Sequence, residues 1–169
     1  MTNLAVLGLL GLSGGVSELA LWTFGYNAYG QLGQGDIVYL SSPVQVGSLT
    51  DWSSMSCGNR HTTGIKTDGS LWTFGDNAYG QLGQGYTVYL SSPVQVGSLT
   101  DWSSMSCGYY HTTGIKTDGT LWTFGNNSFG KLGQGDIVYL SSPVQVGSLT
   151  DWSSVSCGGN HTTGIKTDG

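Results

Sequence analysis

The stretch LWTFGDNAYGQLGQG, residues 71–85, sets the pattern of this chain. Closely related versions stand fifty residues earlier, at 21–35, and fifty residues later, at 121–135. In each version an apolar, aromatic run comes first and closely spaced glycines come after it. This order indicates a short strand and then a compact loop rather than a helix. A repeat of constant length without insertions predicts a regular array of one structural unit.

Four short strands are predicted in each unit. HTTGIKT at 61–67 and SLWTFG at 70–75 flank an Asp-Gly pair, which is a strong signal for a tight hairpin. SSPVQVG at 91–97 and DWSSMSCG at 101–108 supply the other two strands. Four antiparallel strands in about fifty residues is the size of one propeller blade. The sequence therefore predicts an all-β fold built from β-propeller blades.

Composition argues against several classes of partner. The 169 residues include 29 Gly, 6 Trp and 9 Tyr, but only five Lys and Arg against ten Asp and Glu, and the net charge is −5. Binding to phosphate groups needs clustered cations, so neither nucleic acid nor an anionic membrane surface is an expected partner.

The cysteine and the histidine that recur in every unit are interpreted as residues with a structural role. One cysteine and one histidine recur in each unit: Cys57, Cys107 and Cys157, and His61, His111 and His161. We expect the cysteines to be small buried side chains, and each histidine to be hydrogen-bonded within its own blade. No acidic pair stands near a nucleophile or base in the sequence. The expectation is a protein without catalytic residues, without a metal site and without a cofactor.

The order of three phrases resembles that of a known family. GxNxxGQLG, SPV and GxxHT follow one another three times between residues 19 and 169, with Lys131 in place of the glutamine in the third unit. This combination resembles the repeat of the regulator of chromosome condensation family. The resemblance implies a propeller of four-stranded blades, commonly seven. Members of that family include guanine nucleotide exchange factors and a protein inhibitor of β-lactamases, and many members are interaction modules.

The sequence departs from that family in two respects. It has three units instead of seven, and it has no inserted hairpin of the kind that exchange factors use as a wedge into their small GTPase. A fold does not by itself carry a function. A non-enzymatic interaction or structural module is therefore the favoured interpretation, and guanine nucleotide exchange is the less favoured alternative.

The two ends of the repeat region complement each other. The region begins in mid-blade with LALWTFG at 19–25 and finishes with HTTGIKTDG at 161–169. We expect three blade-equivalents per chain, with the last strand of one chain paired with the first strand of another, because open strand edges are avoided. Two chains would give six blades; a contact that did not close would give a filament, and a fragment of a longer array is a further alternative. The residues predicted to form this closure are Leu21, Trp22, Phe24, His161, Thr163, Ile165 and Thr167.

Residues 1–17 lie outside the repeats, which occupy residues 18–169. Their apolar run, 4–12, is too short to span a bilayer, and no Lys or Arg precedes the repeats. We interpret residues 1–17 as an apolar docking segment. An uncleaved secretion signal is the alternative.

The positions at which the units differ most, 26, 36, 37, 59 and 60 with their counterparts, fall in predicted connections. They are rich in Tyr, Asn and Arg, which is the composition of adaptable binding loops. These loops are expected to contact a protein or glycan partner, with an extracellular or virion-surface location favoured over a cytoplasmic one; neutral drift at exposed turns is the alternative. The predicted partner-binding residues are Tyr26, Asp36, Asn59, Arg60, Asp76, Tyr86, Tyr109, Tyr110, Asn126 and Asn160.

Overall fold

The computed structural model describes residues 18–167, and this part of the chain contains twelve β-strands and no helix. The docking segment predicted at 1–17 lies outside the described residues. In chain order the strands are β1 (Trp22–Gly25), β2 (Leu40–Gln45), β3 (Trp52–Cys57), β4 (His61–Lys66), β5 (Leu71–Gly75), β6 (Leu90–Gln95), β7 (Trp102–Cys107), β8 (His111–Lys116), β9 (Leu121–Gly125), β10 (Leu140–Gln145), β11 (Trp152–Cys157) and β12 (Thr162–Lys166).

The strands form two complete blades between two half-blades. The complete blades are antiparallel sheets in the order β3-β4-β5-β6 and β7-β8-β9-β10. The half-blades are the two-stranded sheets β1-β2 and β11-β12. The predicted all-β architecture of four-stranded antiparallel blades is confirmed.

The hairpin between β4 and β5 shows why the Asp-Gly pair recurs. Gly69 has a φ of +80°, and a Cβ there would stand 2.2 Å from the carbonyl oxygen of Thr100. Only glycine accepts both this conformation and this contact. The carboxylate of Asp68 accepts hydrogen bonds from the backbone N–H and the hydroxyl of Ser70, which closes the turn.

Buried side chains hold the loop between β5 and β6 in one conformation. Asn77, fully buried, donates from Nδ2 to the carbonyl oxygens of Tyr86 and Val88 and accepts from the N–H of Leu82. The hydroxyl of Thr73 donates to the Leu82 carbonyl oxygen. The GxNxxGQLG phrase therefore encodes a fixed loop, because its polar side chains replace the hydrogen bonds of regular structure.

The apolar core lies between successive blades. Phe74 in β5 packs with Leu21 and Val46 of the preceding half-blade, and Phe124 in β9 packs with Leu71 and Val96 of the preceding blade. Both phenylalanines are fully buried. Burying one such side chain contributes about 1.5–3 kcal/mol to folding, so each blade depends on its neighbour for much of its stability.

The prediction that each histidine is hydrogen-bonded within its own blade is wrong for His61 and His111, whose imidazoles bond to the next blade. Nε2 of His61 lies 2.9 Å from the hydroxyl of Thr112, which belongs to the next blade. His111 contacts Thr162 in the same way. His61 and His111 therefore each join two blades rather than bracing one, because the strand that begins with each of them lies next to a strand of the next repeat.

The cysteines do not share one environment, contrary to the expectation that all three are buried. Cys107 is buried, Cys157 is half-buried and Cys57 is exposed. The Cys107 thiol lies 3.3 Å from the hydroxyl of Thr63, in the preceding blade. Within the described residues no strand stands in the corresponding position beside Cys57, so its thiol is left in solvent.

Candidate interaction surfaces

Aromatic side chains form a continuous row over the loops at one edge of the blades. We call this set the tyrosine row. Neighbouring groups in it, measured between ring centres or from the guanidinium carbon to a ring centre, lie 4.5 to 6.3 Å apart. In spatial order its members are Tyr39, Tyr26, Tyr29, Arg60, Tyr110, Tyr79 and Tyr139.

Arg60 joins the two halves of the tyrosine row. Its guanidinium carbon lies 4.5 Å from the centre of the Tyr29 ring and 5.9 Å from the centre of the Tyr110 ring. Guanidinium groups in this position are attracted by the negative face of an aromatic ring. The contact holds the only arginine of the chain between two blades.

Three of the predicted partner-binding residues, Tyr26, Arg60 and Tyr110, belong to the tyrosine row. Tyr109 stands beside it, with its ring centre 6.4 Å from that of Tyr110. Tyr86 is exposed on a neighbouring loop. The geometry therefore brings together Tyr26, Arg60, Tyr109 and Tyr110 of the predicted set and leaves Tyr86 outside the row.

The remaining predicted residues serve the loops themselves. The carboxylate of Asp36 accepts from Nδ2 of Asn27, and buried Asp76 accepts from the N–H of Ala78. The side-chain oxygen of Asn126 accepts from the N–H of Ser128. The Asn59 N–H donates to a backbone carbonyl oxygen in the next blade, at Gly108, and Asn160 accepts from the Lys131 ammonium group.

Sequence reasoning missed four members of the tyrosine row: Tyr29, Tyr39, Tyr79 and Tyr139. It selected positions at which the units differ, and tyrosines that recur in several units were passed over. The signal for Tyr39 and Tyr139 was present as a strongly apolar loop segment, Ile-Val-Tyr, which reads Thr-Val-Tyr in the middle unit, whereas Tyr29 and Tyr79 belong to the recurring NAYG phrase. Val38, Val88 and Val138 in these segments are each about 60% exposed.

The two half-blades present side chains that are buried in the complete blades. Phe24 is 63% exposed, whereas Phe74 and Phe124 are fully buried at the same position of their units. Ile165 is 64% exposed, whereas its counterpart Ile65 is 3% exposed. The outer edges of β1 and β12 carry these side chains and have no strand paired with them within residues 18–167.

The remaining residues predicted to close the ring lie on the same two half-blades. Trp22 and His161 are exposed, as are Thr163 and Thr167. Leu21 differs, because it is buried in the core beneath Phe74.

A cavity of about 310 Å³ opens beside β12, where the next blade would pack. Its lining includes Leu132, Gly133, Val146 and Thr162. At the equivalent glycine one unit earlier, Gly83, a Cβ would lie 2.9 Å from the ring of Phe124. At Gly133 the nearest atom is a methyl carbon of Val146, 3.5 Å away. The cavity therefore lies beside Gly133 in the position that the Phe124 ring takes beside Gly83 one unit earlier.

Burial suppresses proton transfer by His61, by His111 and by the Cys107 thiol. It lowers the pKa of His61 to about 3 and that of His111 to about 4, and it raises the pKa of the Cys107 thiol to about 12. Neutral imidazoles and an un-ionised thiol are poor groups for acid–base or nucleophilic chemistry near neutral pH. Among the described residues, no three His, Cys, Asp or Glu side chains are grouped as a metal site requires.

No helix suited to crossing a membrane is present in residues 18–167.

The fold and the repeated motifs define the class of protein: an incomplete β-propeller of repeated blades. A family model described as "Regulator of chromosome condensation (RCC1) repeat" matches residues 20–65, 68–115 and 118–165. A second family model with the same description matches residues 52–81 and 102–131. The chain therefore belongs to the regulator of chromosome condensation repeat family.

Solved structures share this fold. Human WBSCR16 is 20% identical over 90% of this chain, with a TM-score of 0.76, and 41% of that chain is covered. Prp20p from Saccharomyces cerevisiae is 19% identical over 87% of this chain, also with a TM-score of 0.76, and 40% of it is covered. The chain thus spans about two fifths of the length of these proteins. No curated protein sequence shows significant similarity to it.

Proposed function

We propose that this chain is a non-enzymatic interaction module that associates with a second copy of itself through its half-blades and presents the tyrosine row to a partner protein. The observation that carries self-association is the match between Phe24 and the cavity beside Gly133. Phe24 projects from one end of the described structure, and the cavity at the other end has the lining that encloses Phe124 one unit earlier.

The complete blades supply the register of the proposed contact. In them β4 pairs with β5 so that Thr63 is opposite Thr73 and Ile65 is opposite Leu71. Transferred by one unit, β12 of one copy pairs with β1 of the other, and Thr163 stands opposite Thr23. The resulting sheet, β11-β12-β1-β2, has the strand order of a complete blade. Two such sheets close a ring of six blades from two copies, which lies within the usual range for propellers.

Bonds between blades would also be completed. By analogy with His61 and Thr112, the imidazole of His161 would meet the hydroxyl of Thr62 in the other copy. By analogy with Cys107 and Thr63, the thiol of Cys57 would lie against Thr163 of the other copy. Burial of the exposed edges would offset the entropy lost on association.

A protein is the favoured class of external partner. Tyr and Arg are the residues most enriched at the energetic centres of protein interfaces, and the tyrosine row consists of these two types alone. Prp20p is reported with binding properties to Gsp1p and histones, and a further similar structure is that of Kap60 bound to yeast RCC1 (Prp20). A glycan is the alternative ligand, because sugars also stack on exposed aromatic rings.

Light scattering of the full chain across a dilution series tests self-association. We expect a stable dimer, which Phe24→Asp converts to a monomer because a charge would enter the apolar cavity. Ile37→Asp is the matched control, since Ile37 is exposed to a similar extent but lies on a loop. A series of large, open assemblies would replace the ring by a filament, and a wild-type monomer at all concentrations would refute self-association.

A further inference from the structure

We infer that the tyrosine row binds an extended, acidic segment of a partner protein, with one carboxylate on Arg60 and apolar side chains on the flanking tyrosine rings. This inference rests on the proposed interaction role and names the chemistry of the ligand. It is independent of whether the half-blades pair with a second copy.

The blade does not need arginine at position 60. The equivalent residues of the next two units are Tyr110 and Asn160. The structural role at this position belongs to the backbone, because the Arg60 carbonyl oxygen accepts from the N–H of Asp76 and the Tyr110 carbonyl oxygen accepts from the N–H of Asn126, each at 2.8 Å. The guanidinium group is therefore an addition to a loop that folds without it.

The charge of Arg60 is available to a ligand. The three lysines that recur in the repeats, Lys66, Lys116 and Lys166, each form an ion pair with an aspartate of the same unit. Arg60 contacts aromatic rings instead, and within the described residues no carboxylate lies within ion-pair distance of it. A guanidinium held against a ring keeps its N–H edge free for a carboxylate, which it can bind through two parallel hydrogen bonds.

The shape of the row suits a ligand in an extended conformation. Its side chains come from loops of three successive units, beginning at Tyr39 and continuing to Tyr139. Tyrosine rings offer large contact area with little loss of side-chain entropy, and aromatic-lined grooves are a common means of binding extended peptides. A linear ligand can therefore contact several rings at once.

The charges around the row favour a ligand with a single acidic group over a polyanion. Asp36 and Asp136 lie on the same loops, and the whole chain carries a net charge of −5. A nucleic acid or a highly acidic segment would be repelled by this field. One carboxylate with apolar neighbours fits both the lone guanidinium and the tyrosine rings.

Selection from a phage-displayed library of random peptides of about twelve residues, with the full chain as the target, tests the inference. We expect enriched sequences to contain one Asp or Glu between apolar residues. Binding of the best peptide, synthesised with a fluorescent label, is then measured by anisotropy beside its Glu→Gln or Asp→Asn version. The carboxylate version should bind about tenfold more tightly.

Variants taken from the repeat itself provide the controls. Arg60→Asn and Tyr110→Asn copy Asn160, so both are compatible with the fold, and Arg60→Asn should abolish the preference for the carboxylate. Ser70→Thr copies Thr120 and lies at the end of β4 and β5 opposite to Arg60, so it should leave peptide binding unchanged.

Several results would overturn the inference. They are an absence of enriched peptides, enriched peptides without an acidic residue, and equal binding by Arg60→Asn. Binding to an array of neutral oligosaccharides that Tyr110→Asn abolishes would assign the row to glycans instead. Light scattering of Arg60→Asn should match the wild type, so failure of the ligand inference is distinguishable from failure of self-association.

Discussion

The complete blades and the half-blades consist of nearly the same residues in different surroundings. Phe74 and Phe124 are fully buried, whereas Phe24 is largely exposed. Cys107 is buried, whereas Cys57 is exposed. The difference shows that burial at a given repeat position depends on whether a neighbouring strand and blade are present. In a repeat protein, stability is approximately the sum of unit and interface contributions.

The largest effect is expected from removing the buried rings. Phe74→Ala should destabilise the fold by about 3–5 kcal/mol, because it loses apolar contact and leaves a cavity. Phe24→Ala should change the free energy of unfolding of the dilute chain by less than about 1 kcal/mol, since the ring is mostly in solvent. Urea unfolding followed by tryptophan fluorescence measures both.

In an association experiment, Phe24→Ala should have the larger effect of the two variants. Phe24→Ala should raise the dissociation constant of the dimer, measured by light scattering, because its ring is the proposed occupant of the cavity beside Gly133. Equal losses of unfolding free energy for Phe74→Ala and Phe24→Ala would show that the environments of the two rings do not differ as described.

Acid should weaken the contacts between blades. The folded-state pKa values of His61 and His111, about 3 and about 4, lie below the ordinary value of 6.5. The unfolded chain therefore binds protons that the folded chain excludes, so stability is complete above about pH 6.5 and is lost as the pH falls toward the folded pKa values. Between about pH 7 and about pH 5.5 the two histidines together should cost about 2 kcal/mol.

Urea unfolding at several pH values measures this slope. Replacement of both histidines by glutamine should flatten the slope in this range, whatever the stability of the variant at neutral pH. A slope that persists in the double variant would assign the pH dependence to other groups.

Alanine substitutions at two glycines distinguish the effect of backbone strain on stability from the effect of steric contact. Gly83 and Gly133 have φ values of +69° and +68°, so alanine is strained equally at both positions. Only at Gly83 would the new Cβ press on a ring, that of Phe124. Gly83→Ala should therefore be the more destabilising, by about 1 kcal/mol or more.

Gly133→Ala should act mainly on association. Its Cβ would enter the cavity proposed for Phe24, so the dimer should weaken while the dilute chain unfolds much as the wild type does, apart from the strain. Equal stability of the Gly83→Ala and Gly133→Ala variants would contradict the contact at Gly83. An unchanged dimer with Gly133→Ala would contradict the proposed occupancy of the cavity.

The smallest effect is chemical and leaves stability unchanged. In the dilute chain Cys57 should react with a thiol reagent at neutral pH, whereas Cys107 should not, because burial raises the pKa of its thiol to about 12. In the proposed dimer Cys57 should become protected as the protein concentration rises. Mass spectrometry of the labelled peptides distinguishes the cysteines, and reaction at Cys57 that is independent of concentration would argue against the composite blade.

Much of the blade was predictable from local chemistry. Alternating β-branched and aromatic residues predicted the strands, and the Asp-Gly pair predicted the β4–β5 hairpin, because a short turn restricts which residues it accepts. The loop face was only partly predictable. Arg60 and Tyr110 were found through their variation between units, but Tyr29 and Tyr79 were missed because repetition is also what a structural role would produce.

The sequence by itself determined the repeat length, the four strands of each unit and the glycines that permit its turns, because these depend on interactions between residues close in the chain. Only the tertiary structure decided that His61 bonds to Thr112, that Arg60 lies between Tyr29 and Tyr110, and that Phe24 is exposed while Phe74 is not. Each of these depends on which blade stands beside which. The residue type at a repeat position does not determine which blade packs against it, so identical residues differ in burial and in contacts.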